Sequence, residues 1–132
     1  MGSRARNAFI LGAILSSAIA CGERSVPDAG MVDAAKAILL DPSHAAWTEP
    51  APDTFFAVFA TSRGDFVLRV VRAWAPVGAD RFYNLIRHGY YDDVRFHRVV
   101  PGFITQWGVS GDPDVSAVWY DRGMPDDPVI AS

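Results

Sequence analysis

Arg98 and Gln106 are polar side chains that this chain sets among large apolar groups, although each taken alone reads as a solvated strand residue. They sit in Phe96-His97-Arg98-Val99-Val100-Pro101-Gly102-Phe103-Ile104-Thr105-Gln106, where two short apolar runs flank the turn signal Pro101-Gly102. On strands, side chains alternate between faces, so Phe96, Arg98 and Val100 share one face, and His97 and Val99 the other. Past the turn, Phe103 and Thr105 alternate with Ile104 and Gln106. The hairpin therefore gathers one Arg, one Gln and several large apolar groups. A guanidinium is a rigid fork of N–H donors that stays protonated, so beside apolar surface it serves recognition and charge stabilisation rather than covalent chemistry.

Other chemistries find little support. His44, His88 and His97 are scattered, and a lone Cys21 builds neither a metal site nor an intrachain disulfide. Phosphate-cradling Gly loops are absent. A net charge of −3 gives no basic footprint for nucleic acid. Asp92-Asp93 and Asp126-Asp127 are paired carboxylates, but nothing in the sequence brings the pairs together, and they read as turn or solvated positions.

The elements that must position Arg98 and Gln106 are short. A chain of 132 residues, half of them apolar, allows one modest domain. Phe55–Thr61 and Phe66–Arg72 read as strands joined by the turn Ser62-Arg63-Gly64-Asp65. Pro76 opens a helix with Phe82, Leu85 and Ile86 on one face, and Gly89 stops it. After Gln106, Trp107–Pro113 reads as a loop, and residues 114–124 as a short helix or ordered loop. Trp107 either rims the site or caps the core. Asp126–Val129 reads as the approach to a further strand.

The N-terminus has a different character. Arg4 and Arg6 precede Ala8–Ala20, an uncharged and mostly apolar run of thirteen residues that is short for a bilayer span and suits a leader peptide. It ends Ala18-Ile19-Ala20-Cys21, which resembles a bacterial lipoprotein processing site, with Ala18 where Leu is more frequent. Residues 1–21 are therefore expected to be a signal peptide with a lipidated Cys21. Residues 22–54 read as a linker with one short helix over Met31–Leu40, and residues 55–132 as the folded domain. The expected location is the cell envelope, lipid-anchored and facing the periplasm. Gly22 after the Cys favours the outer membrane. The alternative is a soluble periplasmic or secreted protein.

Phe96–Gln106 is similar to the signature of the cyclophilin-type peptidyl-prolyl cis-trans isomerases, with eleven residues matching in order. Thr61–Leu68, Ala75-Pro76, Phe82–Leu85 and Gly89–Asp92 resemble the family too. The resemblance implies a mainly β fold: a closed antiparallel β-barrel with covering helices. About half of such a barrel is visible in this chain, so the domain is expected to be truncated at its C-terminus. Trp107 and Gly111-Asp112-Pro113 depart from the family's Gly-Gly-Asp.

The activity implied is rotation of X-Pro peptide bonds, which makes and breaks no bond and so calls for no cofactor and no metal. By position in the motif, Arg98 is the catalytic residue, and Phe103, Ile104 and Gln106 bind substrate, with Ile104 replacing a frequent Met. His97 reads as a packed histidine, because no proton is transferred. The expected partners are proline-containing unfolded or exported polypeptides, met by a monomer. The rival readings are a non-catalytic lipoprotein that binds proline segments and an inactive fragment.

Overall fold

The computed structural model of the chain describes residues 5–11 and 29–129. In chain order these are β1 (Ala5–Leu11), α1 (Ala29–Leu40), β2 (Thr54–Thr61), β3 (Gly64–Val71), α2 (Pro76–Arg87), β4 (Arg98–Val100), β5 (Ile104–Gln106) and α3 (Pro113–Trp119). Short 3-10 turns at Ala45–Thr48 and Arg72–Trp74 link them.

Strands β2 and β3 form the hairpin expected from their β-branched and aromatic content. Thr61 pairs with Gly64, so Gly64 and Asp65 belong to the strand and the turn tightens to Ser62-Arg63. Gly64 takes φ +118°, a backbone conformation that L side chains rarely adopt. Phe55, Ala57 and Phe59 alternate inward along β2 and are buried, while Phe56 faces outward and is 44% exposed. On the opposite edge of β2, β1 pairs antiparallel, from Ala5 opposite Thr61 to Leu11 opposite Phe56. The sheet order is β1-β2-β3. Strand β1 thus spans part of the expected leader; Cys21 lies outside the described residues. No helix among the described residues is long and apolar enough to cross a membrane.

Helix α2 lies on the sheet. Pro76 occupies its first turn, where a missing N–H costs nothing, and Ala79, Leu85 and Ile86 are buried. Its N-cap Ala75 offers no side-chain acceptor. The Asp127 carboxylate supplies one from fifty residues away, accepting from the amides of Val77 at 2.6 Å and Gly78 at 2.8 Å. Asp80 ties α2 to the sheet: Arg72 donates to it through Nε at 2.6 Å and Nη2 at 2.8 Å, and the Ala51 amide at 2.8 Å. The Arg72 guanidinium, followed by the Ala51 amide, holds the Asp80 carboxyl below the usual carboxylate range.

Two cores result. One lies between sheet and α2, with Phe55, Phe59 and Ile86 at its centre and Phe66, Phe82, Tyr91 and Trp107 packed around them. The other is helical, built from Leu39, Leu85, Val115 and Trp119, with Trp47 and Tyr90 against it. Here α1 docks on α3: the buried Trp119 indole donates to the Leu39 carbonyl at 2.8 Å, and Lys36 pairs with Asp112 at 2.6 Å. Asp112 also caps α3, accepting from the amides of Asp114 and Val115. Asn84, fully buried on α2, donates to the Glu49 carbonyl at 2.8 Å and holds the segment leading into β2.

The expected mainly β closed barrel is not what the chain forms. The strands make two separate antiparallel sheets, of three and two strands, and about a third of the described residues are helical. The physical reason is twofold. Strands β4 and β5 are three residues each and pair with one another rather than with the larger sheet. The chain after β5 runs through a loop into α3, a short helix within the stretch expected to be helix or ordered loop, whose Val115 and Trp119 bury against α1 and α2, and no strand follows it among the described residues.

Candidate active site

The site hairpin forms because its apolar alternation fits a strand pair and Pro101-Gly102 fits the turn. Gly102 takes φ +70°, and the Phe103 amide closes the turn on the Val100 carbonyl at 3.1 Å. The register sets Arg98 opposite Gln106, Val99 opposite Thr105 and Val100 opposite Ile104. Arg98, Val100, Ile104 and Gln106 therefore share one face. The His97 amide extends the pairing by donating to the Gln106 carbonyl at 3.1 Å.

On that face Arg98 Nη1 donates to Gln106 Oε1 at 2.9 Å. One N–H of the fork is held, and the others stay available because Arg98 is exposed and no ion pair among the described residues engages it. Ile104 and Gln106 are half-buried. Phe103 stands in the turn with 76% of its surface exposed. The hairpin thus brings Arg98, Gln106 and Ile104 together and sets Phe103 at the rim rather than in a wall.

The base of the hairpin is aromatic. Phe96 and Trp107 flank it, their rings 5.8 Å apart. Trp107 meets Phe59 edge-on at 4.8 Å and Tyr91 at 5.7 Å, so it caps the core. Burial, with Tyr90 adding to it, pushes the Tyr91 phenol well above its ordinary range and keeps it neutral. His97 is exposed, which corrects the expectation of a packed histidine. No group of three or more His, Cys, Asp or Glu among the described residues could hold a metal ion. A cleft of about 740 Å³ lies away from the hairpin, between α2 and the end of α3, lined by Trp47, Val77, Arg81, Trp119 and Met124 among others. Of the two roles open for Trp107 in the sequence, the structure selects the core cap. Sequence reasoning missed Asp127 as the cap of α2, for which no local signal exists.

The sequence profile described as "Cyclophilin type peptidyl-prolyl cis-trans isomerase/CLD" matches residues 56–127, more than half of the chain. The chain belongs to the cyclophilin-type peptidyl-prolyl cis-trans isomerase family. Among curated proteins, this cyclophilin-type chain is 37% identical over 76 residues to peptidyl-prolyl isomerase cwc-27 of Neurospora crassa, covering 57% of this chain and 14% of that protein. It is 39% identical over 51 residues to peptidyl-prolyl cis-trans isomerase-like 1 of Gibberella zeae, covering 39% of this chain and 32% of that protein. It is also 44% identical over 48 residues to peptidyl-prolyl cis-trans isomerase ppi1 of Schizosaccharomyces pombe, covering 36% and 31%. The chain spans about a third or less of the length of these relatives. No solved structure matches.

Proposed function

We propose that this chain catalyses cis–trans rotation of X-Pro peptide bonds at the β4–β5 hairpin. Arg98 is the catalytic residue, and Phe103, Ile104 and Gln106 bind the substrate. Peptide-bond resonance sets a barrier of about 18–20 kcal/mol, so an X-Pro bond, although its cis form lies only about 0.5–1 kcal/mol above trans, takes roughly tens to hundreds of seconds to rotate unaided. The twisted amide loses conjugation, and its proline nitrogen becomes a pyramidal lone-pair acceptor. A group that donates to that nitrogen favours the twisted state over both planar ones. Arg98 is suited to this because it stays protonated and its fork can serve the nitrogen and a neighbouring carbonyl together. Ile104 and Phe103 offer the proline ring apolar surface.

The observation that carries this reading is the Arg98–Gln106 hydrogen bond of 2.9 Å on an exposed hairpin face. It holds one N–H of the guanidinium and leaves the other donors for a ligand. The test is exchange of an X-Pro peptide with the wild-type chain and with Arg98→Ala. A second reading, binding of proline segments without turnover, draws on Phe103: at 76% exposure it forms an open platform rather than an enclosing pocket. A wild-type chain that binds an X-Pro peptide but does not speed its exchange selects that reading.

The envelope reading is part of the same proposal. Arg4, Arg6, the apolar run and Cys21 support export and lipidation, with proline-containing exported polypeptides as clients. Cleavage ahead of Cys21 would remove β1 from the edge of β2. The mass of the mature N-terminus in cells that process lipoproteins tests it: a diacylated Cys21 supports the reading, and an intact Met1 or Gly2 sinks it.

A further inference from the structure

We infer that Trp107 is a positioning residue for Arg98 and Gln106, acting with Phe96 as an aromatic clasp that fixes the hairpin to the core. The inference rests on the reading of this hairpin as the site.

Strands of three residues have little stability of their own, and an isolated two-stranded pair is marginal in water. Here β4 is exposed along its whole length, and β4 and β5 pack mainly on each other. The hairpin must therefore be held from its base. Phe96 stands two residues before Arg98, and Trp107 follows Gln106 directly. The Trp107 ring meets Phe59 at 4.8 Å, Tyr91 at 5.7 Å, Phe66 at 5.8 Å and Phe96 at 5.8 Å. Phe59 is 1% exposed, so one end of this contact chain lies in the buried core. Phe96 makes its own contact with Phe66 at 6.3 Å. Both legs of the hairpin thus end in rings that meet each other and Phe66, with Trp107 alone reaching Phe59 and Tyr91. Because Gln106 and Trp107 are consecutive, seating the indole fixes the backbone that aims Gln106, and Gln106 Oε1 fixes one N–H of Arg98. A small residue at 107 would leave the fork on an unanchored hairpin. Misplacing a reacting group by about 1 Å is enough to cost roughly a hundredfold in rate.

The test reads Arg98 directly. In the full 132-residue chain, ¹⁵N relaxation of the Arg98 Nε–Hε group is compared between wild type, W107F, W107A and F96A, with backbone shifts reporting the fold. The group is expected to be ordered in wild type and W107F. In folded W107A and F96A it becomes mobile, and kcat/KM on an X-Pro peptide falls by about ten- to a hundredfold while W107F stays near wild type. If the alanine variants do not fold, W107L and F96L keep apolar volume without the ring contacts and are read in the same way. An Arg98 that is already mobile in wild type, or equally ordered in folded W107A or W107L, overturns the inference. Loss of Arg98 order in a chain without any turnover keeps the positioning role and sinks the isomerase reading. Turnover that depends on Arg98 but not on Trp107 does the reverse.

Discussion

The indole N–H of Trp119 donates to the carbonyl of Leu39 at 2.8 Å, joining α3 to the last turn of α1 across 80 residues of chain. The last carbonyls of a helix have no partner within it, and a buried end must find one elsewhere. Leu39 is 5% exposed and Trp119 is 9% exposed, so water is a poor substitute. The helix ahead of the β2–β3 hairpin is thereby part of one packed body with α2 and α3. Trp119→Phe keeps most of the ring and removes the donor. The expected cost is about 1–3 kcal/mol, read from the urea midpoint at unchanged slope. An unchanged midpoint would show that α1 contributes nothing through this bond.

Asp127 does for α2 what its own N-cap cannot. Two helix amides converge on one carboxylate, which also sits at the positive end of the helix dipole. Asp127→Ala is expected to cost about 0.5–2 kcal/mol, and Asp127→Asn less, because the amide oxygen still accepts. Urea unfolding of the three chains provides the check, and equal stability of all three would remove Asp127 from the structure's support.

How much of this was legible in advance depends on the sequence separation of the partners. The β2–β3 hairpin, the Pro76 helix start and the Arg98–Gln106 pairing follow from alternation, turn chemistry and motif within short windows. Asp127 on Val77 and Gly78, and Trp119 on Leu39, bring together residues with no local pattern connecting them. The barrel expectation failed for a related reason. It took closure of the strands from the resemblance, whereas β4 and β5 pair only with each other, and the short helix read after the Trp107–Pro113 loop buries Val115 and Trp119 against Leu39 and Leu85. His97 went astray because an aromatic-flanked histidine on a strand gives no sign of which face is covered.

Acid should weaken the fold in two stages. His88 packs edge-on against Trp47 at 5.2 Å; burial, with Arg87 adding to it, pushes its pKa below the ordinary 6.5. The unfolded chain then binds the proton first, so stability falls as pH drops below about 6.5 and stops falling below the depressed folded value. Asp80 contributes in full above the ordinary carboxylate value of 3.8, and its contribution is lost as pH falls toward its lowered folded value. Thermal unfolding between pH 8 and pH 3 should show both stages. His88→Gln should flatten the upper stage and leave the lower one, and a wild-type midpoint that rises between pH 6.5 and pH 5 contradicts the sign.

The most direct measurement is X-Pro exchange catalysed by the 132-residue chain and by Arg98→Ala at matched, folded concentrations. Losing a preorganised donor to the twisted amide should lower kcat/KM by about a hundred- to a thousandfold while the unfolding midpoint stays put. Exchange at the wild-type rate in Arg98→Ala would take catalysis away from the guanidinium and leave the hairpin as a binding surface.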